Sequence, residues 1–192
     1  MELAGWKEKS TVMQRYDVTA EGYDELYAQE QKVKYDAALK NMKVAFGLVL
    51  DVGCGSGLFF QEVASQAEIV LGVDISHKLL LKAQEHAKMF GNVFVLQADV
   101  DYLPFRNGLF DGVFAFTVLQ NVPQPSETLL ELKRVVRLSG RLVVTALKKA
   151  FTLPTFMDLL EAAGFTVVGF VDDDCLKCYV SVLVLIKPAS AT

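Results

Sequence analysis

Val49-Leu-Asp-Val-Gly-Cys-Gly-Ser-Gly57 runs an apolar segment into three glycines on alternate positions, and Val70-Leu-Gly-Val-Asp74 closes the next apolar segment on an aspartate. The first reads as a strand over Leu48–Val52 that ends where the chain sheds its side chains. Glycines at that point permit positive φ and let the backbone approach a ligand closely. A carboxylate ending the second strand, Ile69–Val73, would lie beside the glycine turn. There it can accept hydrogen bonds from a sugar diol, each about 1.5–3 kcal/mol for a charged acceptor. Further strands read at Val93–Gln97, Gly112–Phe116, Arg141–Ala146, Thr166–Val171 and Tyr179–Lys187. Helices read at Leu58–Ser65, His77–Phe90, Ser126–Leu138 and Leu153–Ala163. Strand alternating with helix predicts βαβ crossovers and a mainly parallel sheet. The last two strands lack room for a helix between them and are expected to form an antiparallel hairpin. Residues 12–45 read as helical, so the expected fold is α/β: an open sheet of seven strands, helices on both faces, and an N-terminal helical appendage.

The 192 residues read as one domain, an appendage over 1–46 and a core over 47–192, long enough to bury roughly 70% of its unfolded surface. Met1 to Lys9 lacks the apolar core of a signal peptide, and no run approaches the roughly 18 apolar residues of a membrane span. Three cysteines suggest no disulfide framework, so a reducing cytoplasm is the expected compartment. A net charge of −4 argues against an autonomous nucleic-acid binder, which usually carries a basic face. The hydrophobic content of 52% predicts either a sheet covered on both faces or apolar surface that meets a partner.

The glycine spacing separates two ligand classes. A dinucleotide fingerprint is Gly-x-Gly-x-x-Gly, opening a helix N-terminus to a pyrophosphate. Here the third glycine comes one residue early, and Leu58 stands where it would have been. Asp51 just before the loop would also repel a diphosphate. A nucleoside with a cationic or zwitterionic tail fits better, and S-adenosylmethionine is such a molecule.

The run from Asp51 to Gly57, with Asp74, Ala98-Asp99 and Leu103-Pro-Phe105, resembles the class I S-adenosylmethionine-dependent methyltransferases over about Leu48 to Lys148. The segments Phe110–Val122 and Leu132–Leu142 resemble the branch that includes quinone- and tRNA-modifying members. The resemblance implies a Rossmann-like sheet and assigns cofactor contact to Asp51, Gly53, Cys54, Gly55 and Gly57. It adds Asp74 and Ile75 at the ribose, Ala98, Asp99 and Val100 at the adenine, and Phe116. Tyr16 and Tyr23 would come from a lid over the cofactor. The residues alone leave alternatives: Asp51 as a structural partner of the loop, Asp99 as a cap, the tyrosines as packing, Cys54 as a small filler.

Methyl transfer is a displacement at an activated sulfonium, and no clear general base is visible. His77 and His86 read as solvated helix positions. The stretch Thr117–Pro125 lacks the Asn/Asp-Pro-Pro-aromatic loop expected of an exocyclic-amine methyltransferase. Gln120 and Asn121 can orient an acceptor but cannot act as ordinary bases. With Thr117 and Tyr23 they are the catalytic candidates, and the acceptor stays open between a small molecule and tRNA, rRNA or protein. Cys175 and Cys178, a lone pair, read as packing rather than as a metal site. Competing readings are a catalytically silent or partner-activated cofactor-binding subunit and, disfavoured by the spacing, an NAD-dependent oxidoreductase.

By the resemblance, Val93–Gln97 is an edge strand. Met89 to Gln97 carries no charge, whereas edges are normally defended by charge, proline or a covering element. A homodimer or a small zinc-binding activator is expected there, unless the preceding helix folds over and buries Phe90 and Phe94.

Overall fold

The computed structural model describes residues 5–40, 42 and 46–185. Helices α1 (Trp6–Thr19) and α2 (Tyr23–Leu39) precede β1 (Phe46–Val52), α3 (Phe60–Val63) and β2 (Ala67–Asp74). Then follow α4 (His77–Ala87), β3 (Val93–Gln97), β4 (Phe110–Ala115), α5 (Pro125–Val135), β5 (Val136–Leu147), α6 (Leu153–Ala162), β6 (Thr166–Val171) and β7 (Cys178–Val184). They build one seven-stranded sheet in the order β3-β2-β1-β4-β5-β7-β6. The first five strands are parallel, and β7 runs antiparallel to both β5 and β6. The predicted architecture and its C-terminal hairpin are therefore present.

The central strands are buried on both faces, so their apolar runs are continuous rather than alternating. One face packs Leu50, Val113 and Leu142 against α5 and α6 through Leu129, Leu132, Phe156 and Leu160. The other packs Val49, Phe114 and Val143 against α2, α3 and α4 through Tyr35, Phe60 and Leu80. Phe114 sits in an aromatic cluster, with ring centroids 4.8 Å from Phe59, 5.8 Å from Phe46 and 6.0 Å from Phe116.

Several boundaries depart from expectation. The N-terminal helices begin at Trp6 rather than residue 12, and a single turn at Ala20–Gly22 separates them. The helix expected over Leu58–Ser65 shrinks to four residues followed by a 3₁₀ turn at Ala64–Gln66. Helix α5 stops at Val135 and β5 starts at once, where Ser126–Leu138 reads as helix in the sequence. The β-branched pair Val135-Val136 favours the extended chain, and the register jumps from Phe110–Val136 to Gly112–Arg141 across a bulge. Gly140 is needed there, because a Cβ would lie 2.9 Å from the Asp111 carbonyl oxygen. Asp111 holds the junction together, taking a hydrogen bond from Leu48 N at 2.8 Å and pairing with Arg137 at 2.5 Å. The end expected for the last strand, at Lys187, lies outside the described residues.

Phe114→Ala should lower the unfolding free energy by about 3–5 kcal/mol, the usual loss for a buried phenylalanine. Leu81→Ala, at a half-exposed position of α4, should stay within about 0.5 kcal/mol of wild type. Urea denaturation compares them, and a Phe114 loss no larger than the Leu81 loss would show that the cluster does not carry the fold.

Candidate active site

Strand order reverses between β1 and β4, and open α/β sheets bind ligands at the carboxyl ends of strands where that happens. A cavity of about 900 Å³ lies there, with Asp74 ending β2 and Gly53, Ala98 and Phe116 just past β1, β3 and β4. Its opposite wall is α1 and α2. From α2 come Tyr23, Tyr27, Glu30, Gln31 and Lys34, a stripe at helical spacing.

Gly53, Gly55 and Gly57 hold φ of 67°, 57° and 86°, a conformation that favours glycine. A Cβ on Gly53 would meet Val118 at 2.8 Å, and one on Gly57 would meet Phe60 at 2.4 Å. Asp74 fixes the loop: one carboxylate oxygen accepts from Gly55 N and the other from Ser76 N, each at 2.8 Å. Burial pushes the Asp74 carboxyl up against the pull of these donors.

Of the predicted cofactor contacts, Tyr16, Tyr23, Gly53, Gly55, Asp74, Ile75, Ala98, Asp99, Val100 and Phe116 line the cavity. Asp51, Cys54 and Gly57 do not line it; Asp51 belongs to β1, and Cys54 and Gly57 are loop residues that do not reach the cavity. Cys54 is buried with its thiol pushed well up by burial, which leaves it inert. Asp99 carries a partner that the sequence does not announce. Lys9, from α1, donates to both Asp99 oxygens at 2.8 and 2.7 Å and pairs with Asp101 at 2.6 Å. Burial opposes the Lys9 charge, yet these two carboxylates hold its pKa above the ordinary value.

The four catalytic candidates also line the cavity. Thr117 has φ 62°, the single positive-φ non-glycine residue among those described. Its carbonyl accepts from the Gln120 and Asn121 side chains, its N–H donates to Thr145 Oγ1 at 2.7 Å, and Lys34 Nζ donates to its Oγ1 at 3.2 Å. Burial, first of several causes, raises the Tyr23 hydroxyl far above its ordinary range. Asn121 is tied to the appendage, accepting from Arg15 at 2.8 Å and donating to the Tyr16 hydroxyl at 3.1 Å. Sequence reasoning missed Lys9, Arg15, Gln31 and Lys34; the stripe on α2 was the available signal for the last two. His77 and His86 lie outside the cavity lining, His86 3.9 Å from Asp24. Cys178 is buried at the start of β7, as packing requires. Cys175, expected to pack with it, is exposed instead because it sits on the turn before the strand. Among the described residues no group of three or more His, Cys, Asp or Glu could hold a metal, and no helix is long and apolar enough to cross a membrane.

Residues 50–144 match the methyltransferase-domain family. An uncharacterised chloroplastic methyltransferase of Arabidopsis thaliana is 31% identical over 146 residues, 69% of this chain and 42% of that protein. A ubiquinone biosynthesis O-methyltransferase of Xylella fastidiosa is 29% identical over 137 residues, 70% of this chain and 55% of that protein. The chain belongs to the class I S-adenosylmethionine-dependent methyltransferases. It spans about half the length of the curated relatives it matches. The fold is shared with a Haloferax volcanii methyltransferase solved in complex with the Trm112 methyltransferase activator. That match has a TM-score of 0.77 at 18% identity and covers 90% of this chain and 98% of the other.

S-adenosylmethionine, the cofactor of this methyltransferase family, fits the donor set. The loop is glycine-rich, a fixed carboxylate ends β2, and Asp74 disfavours a diphosphate. The four-residue α3 offers a pyrophosphate little helix N-terminus. Asp51 adds an acceptor without a donor: its Oδ2 is buried and unpartnered. Burial, then the Asp74 charge, pushes its carboxyl up to about 8. An acid raised in the folded state stabilises the fold fully below its unfolded pKa near 4. That contribution is lost as pH climbs toward 8. Wild type should therefore lose stability relative to Asp51→Asn as pH rises from about 4 to 8. Urea midpoints across that window check it, and parallel curves would mean that Asp51 is not carried neutral in the fold.

Proposed function

We propose that this chain is an S-adenosylmethionine-dependent methyltransferase whose N-terminal helices close over cofactor and acceptor. The observation that carries the reading is the Asp74 carboxylate, fixed by Gly55 and Ser76 beside a glycine loop at the strand-order reversal. Asp74 would hold the ribose hydroxyls, Gly53 and Gly55 the methionine end, and Ile75, Ala98, Asp99 and Val100 the adenine end. Phe116, Tyr16 and Tyr23 would border the cofactor; Asp51, Cys54 and Gly57 would shape the loop. The bound cofactor supplies a methyl group already activated on a sulfonium. The chain itself need only position the acceptor and exclude water, and positioning alone can contribute roughly 7–11 kcal/mol. Thr117, Gln120 and Asn121 sit where an acceptor would be oriented. The unpaired cysteines agree with a reducing, cytoplasmic setting.

Asp74→Ala should weaken S-adenosylmethionine binding by about 2–4 kcal/mol, or 30- to 1000-fold, with the fold intact. Asp74→Asn should fall between. Titration calorimetry against S-adenosylmethionine and NAD reads this out. Affinity within about threefold of wild type, or tighter binding of NAD, would remove the reading.

A second reading, partner activation, has its own observation. Strand β3 is an edge, and Phe94 and Leu96 face outward at 55% and 40% exposure, with Ile69 of β2 at 44%. Phe90 is half-buried against the core, but α4 does not fold over Phe94, so the covered-edge alternative fails at that residue. The apolar surface suits a small zinc-binding activator or a second copy of this chain, and the Haloferax volcanii protein was solved with a methyltransferase activator. Phe94→Lys should leave a folded monomer that no longer retains such a partner, whereas Val95→Glu, on the half-buried face, should destabilise the chain itself. A wild-type protein that is monomeric and fully active alone would dismiss the idea.

A further inference from the structure

The acceptor end of the cavity has a charge pattern opposite to that of the chain. Apart from Asp74 and the Lys9–Asp99 pair, the charged lining residues are Arg15, Lys34, Lys148, Lys149 and Lys177 against Glu30 alone. Glu30 is shared by Lys34 and Lys177, at 2.9 and 2.7 Å, and Lys148 pairs with Asp172 outside the cavity at 2.7 Å. The lining of that end thus holds five cations against Glu30, in a chain whose net charge is −4, while Asp172, Asp173 and Asp174 compensate Lys148 from outside the cavity. Lys34 is the innermost, with a side chain 1% exposed. Its Nζ donates to Glu30 and Thr117, which uses two of its three N–H groups. Thr117 in turn precedes Val118, the side chain lying against Gly53 of the glycine loop.

Among the described residues that line it, the same end offers no ready base. Burial works to raise the Glu30 carboxyl, but hydrogen bonds from Lys177 and Lys34 outweigh it and hold it below its ordinary range. The Tyr23 hydroxyl is held protonated, and Gln120 and Asn121 are amides. An acceptor that must lose a proton is poorly served here, while one that arrives deprotonated needs no such help.

We propose that the methyl acceptor is an organic carboxylate, with one oxygen on Lys34 Nζ beside Thr117 and the other toward the glycine loop. This rests on the methyltransferase reading of the same cavity. The free carboxylate oxygen supplies the electron pair of the new O–C bond to the methyl carbon. The S–C bond breaks and its pair stays on sulfur, so sulfonium and carboxylate become a neutral thioether and a neutral ester. No proton is released. Lys34 is thus an acceptor-binding residue, and the outer lysines draw the anion in.

The test is titration calorimetry at saturating S-adenosylhomocysteine, with hexanoate, benzoate and glutarate each set against its primary amide, and with inorganic phosphate. At least one carboxylate should bind wild type about tenfold or more tightly than its amide, a preference that shrinks to about threefold or less in Lys34→Gln. S-adenosylhomocysteine affinity should be the same in both proteins. Should Lys34→Gln not fold, Lys149→Gln, at an exposed residue of the lining, should reduce the preference by about two- to threefold. Amides binding as well as acids, phosphate binding more tightly than every acid, no acid binding, or an unchanged preference in the variant would each overturn the proposal. Failure of wild type to bind S-adenosylhomocysteine would instead bring down the methyltransferase reading itself.

Discussion

The Asp74 carboxylate, by accepting Gly55 N on one oxygen and Ser76 N on the other, ties the glycine loop after β1 to the start of α4. Gly55 belongs to a loop of positive-φ glycines, which has little side-chain packing of its own to define it. Ser76 caps α4, its Oγ accepting from Leu79 N at 3.2 Å, and the same hydroxyl donates to Asp17 of α1 at 2.6 Å. One acid therefore aligns the glycine loop, the start of α4 and, through Ser76, the first helix. The arrangement depends on charge and on acceptor geometry together. An apolar residue at the end of β2 would leave the Gly55 and Ser76 N–H groups to find other partners, and an unsatisfied buried donor costs about 1–3 kcal/mol. A carboxylate has roughly four lone-pair sites, so two backbone donors leave capacity for a diol. Structural and ligand-facing roles thus coincide in one side chain.

The other side of the cavity is organised by strain. Thr117 adopts a left-handed conformation that costs a non-glycine residue about 1–3 kcal/mol. It persists because its N–H, carbonyl and hydroxyl are all engaged, by Thr145, by the amides of Gln120 and Asn121, and by Lys34. Those bonds turn the chain sharply after β4 and present the turn at Leu119–Asn121 to the cavity. The side of the cavity at Asp74 and Asp99 is thus acidic, and the side at Lys34, Lys148, Lys149 and Lys177 is cationic. This polarity suits a cationic methyl donor meeting an anionic acceptor.

How much of this the sequence disclosed follows the range of the interactions. The sheet was legible because apolar runs and glycine or aspartate punctuation are local signals, and because βαβ connectivity restricts topology. Asp74 and the glycine loop were legible for the same reason. The Lys9–Asp99 and Lys34–Thr117 contacts join residues 90 and 83 positions apart, and no local pattern marks such pairs. The α5–β5 boundary failed for a different reason. Leu132 to Val136 keeps helical apolar spacing, which masks the β-branched pair, and tertiary pairing with β4 through the Asp111 junction decides where the strand begins.

The chemistry of the appendage's contacts bears on how the site would open. Helix α1 buries one residue, Lys9, and meets the core largely through polar groups: Lys9 on Asp99 and Asp101, Arg15 and Tyr16 on Asn121, Asp17 on Ser76. Such bonds, most of them to a charged group, exchange for water at about 1.5–3 kcal/mol each. Helix α2 differs, since Tyr35 and Ala38 at its C-terminal end are part of the core. The appendage is therefore anchored at one end and held by exchangeable contacts at the other. On the reading of a lid, α1 and the tyrosine-bearing start of α2 would be the moving part, with the turn at Ala20–Gly22 between them. Lys9 then has two states available, paired with Asp99 when α1 is down and solvated when it lifts. A ligand at the adenine end that approaches Asp99 must share that carboxylate with Lys9. On that reading closure and cofactor binding would be coupled through a single acid, as Asp74 couples the loop to the helix that follows it.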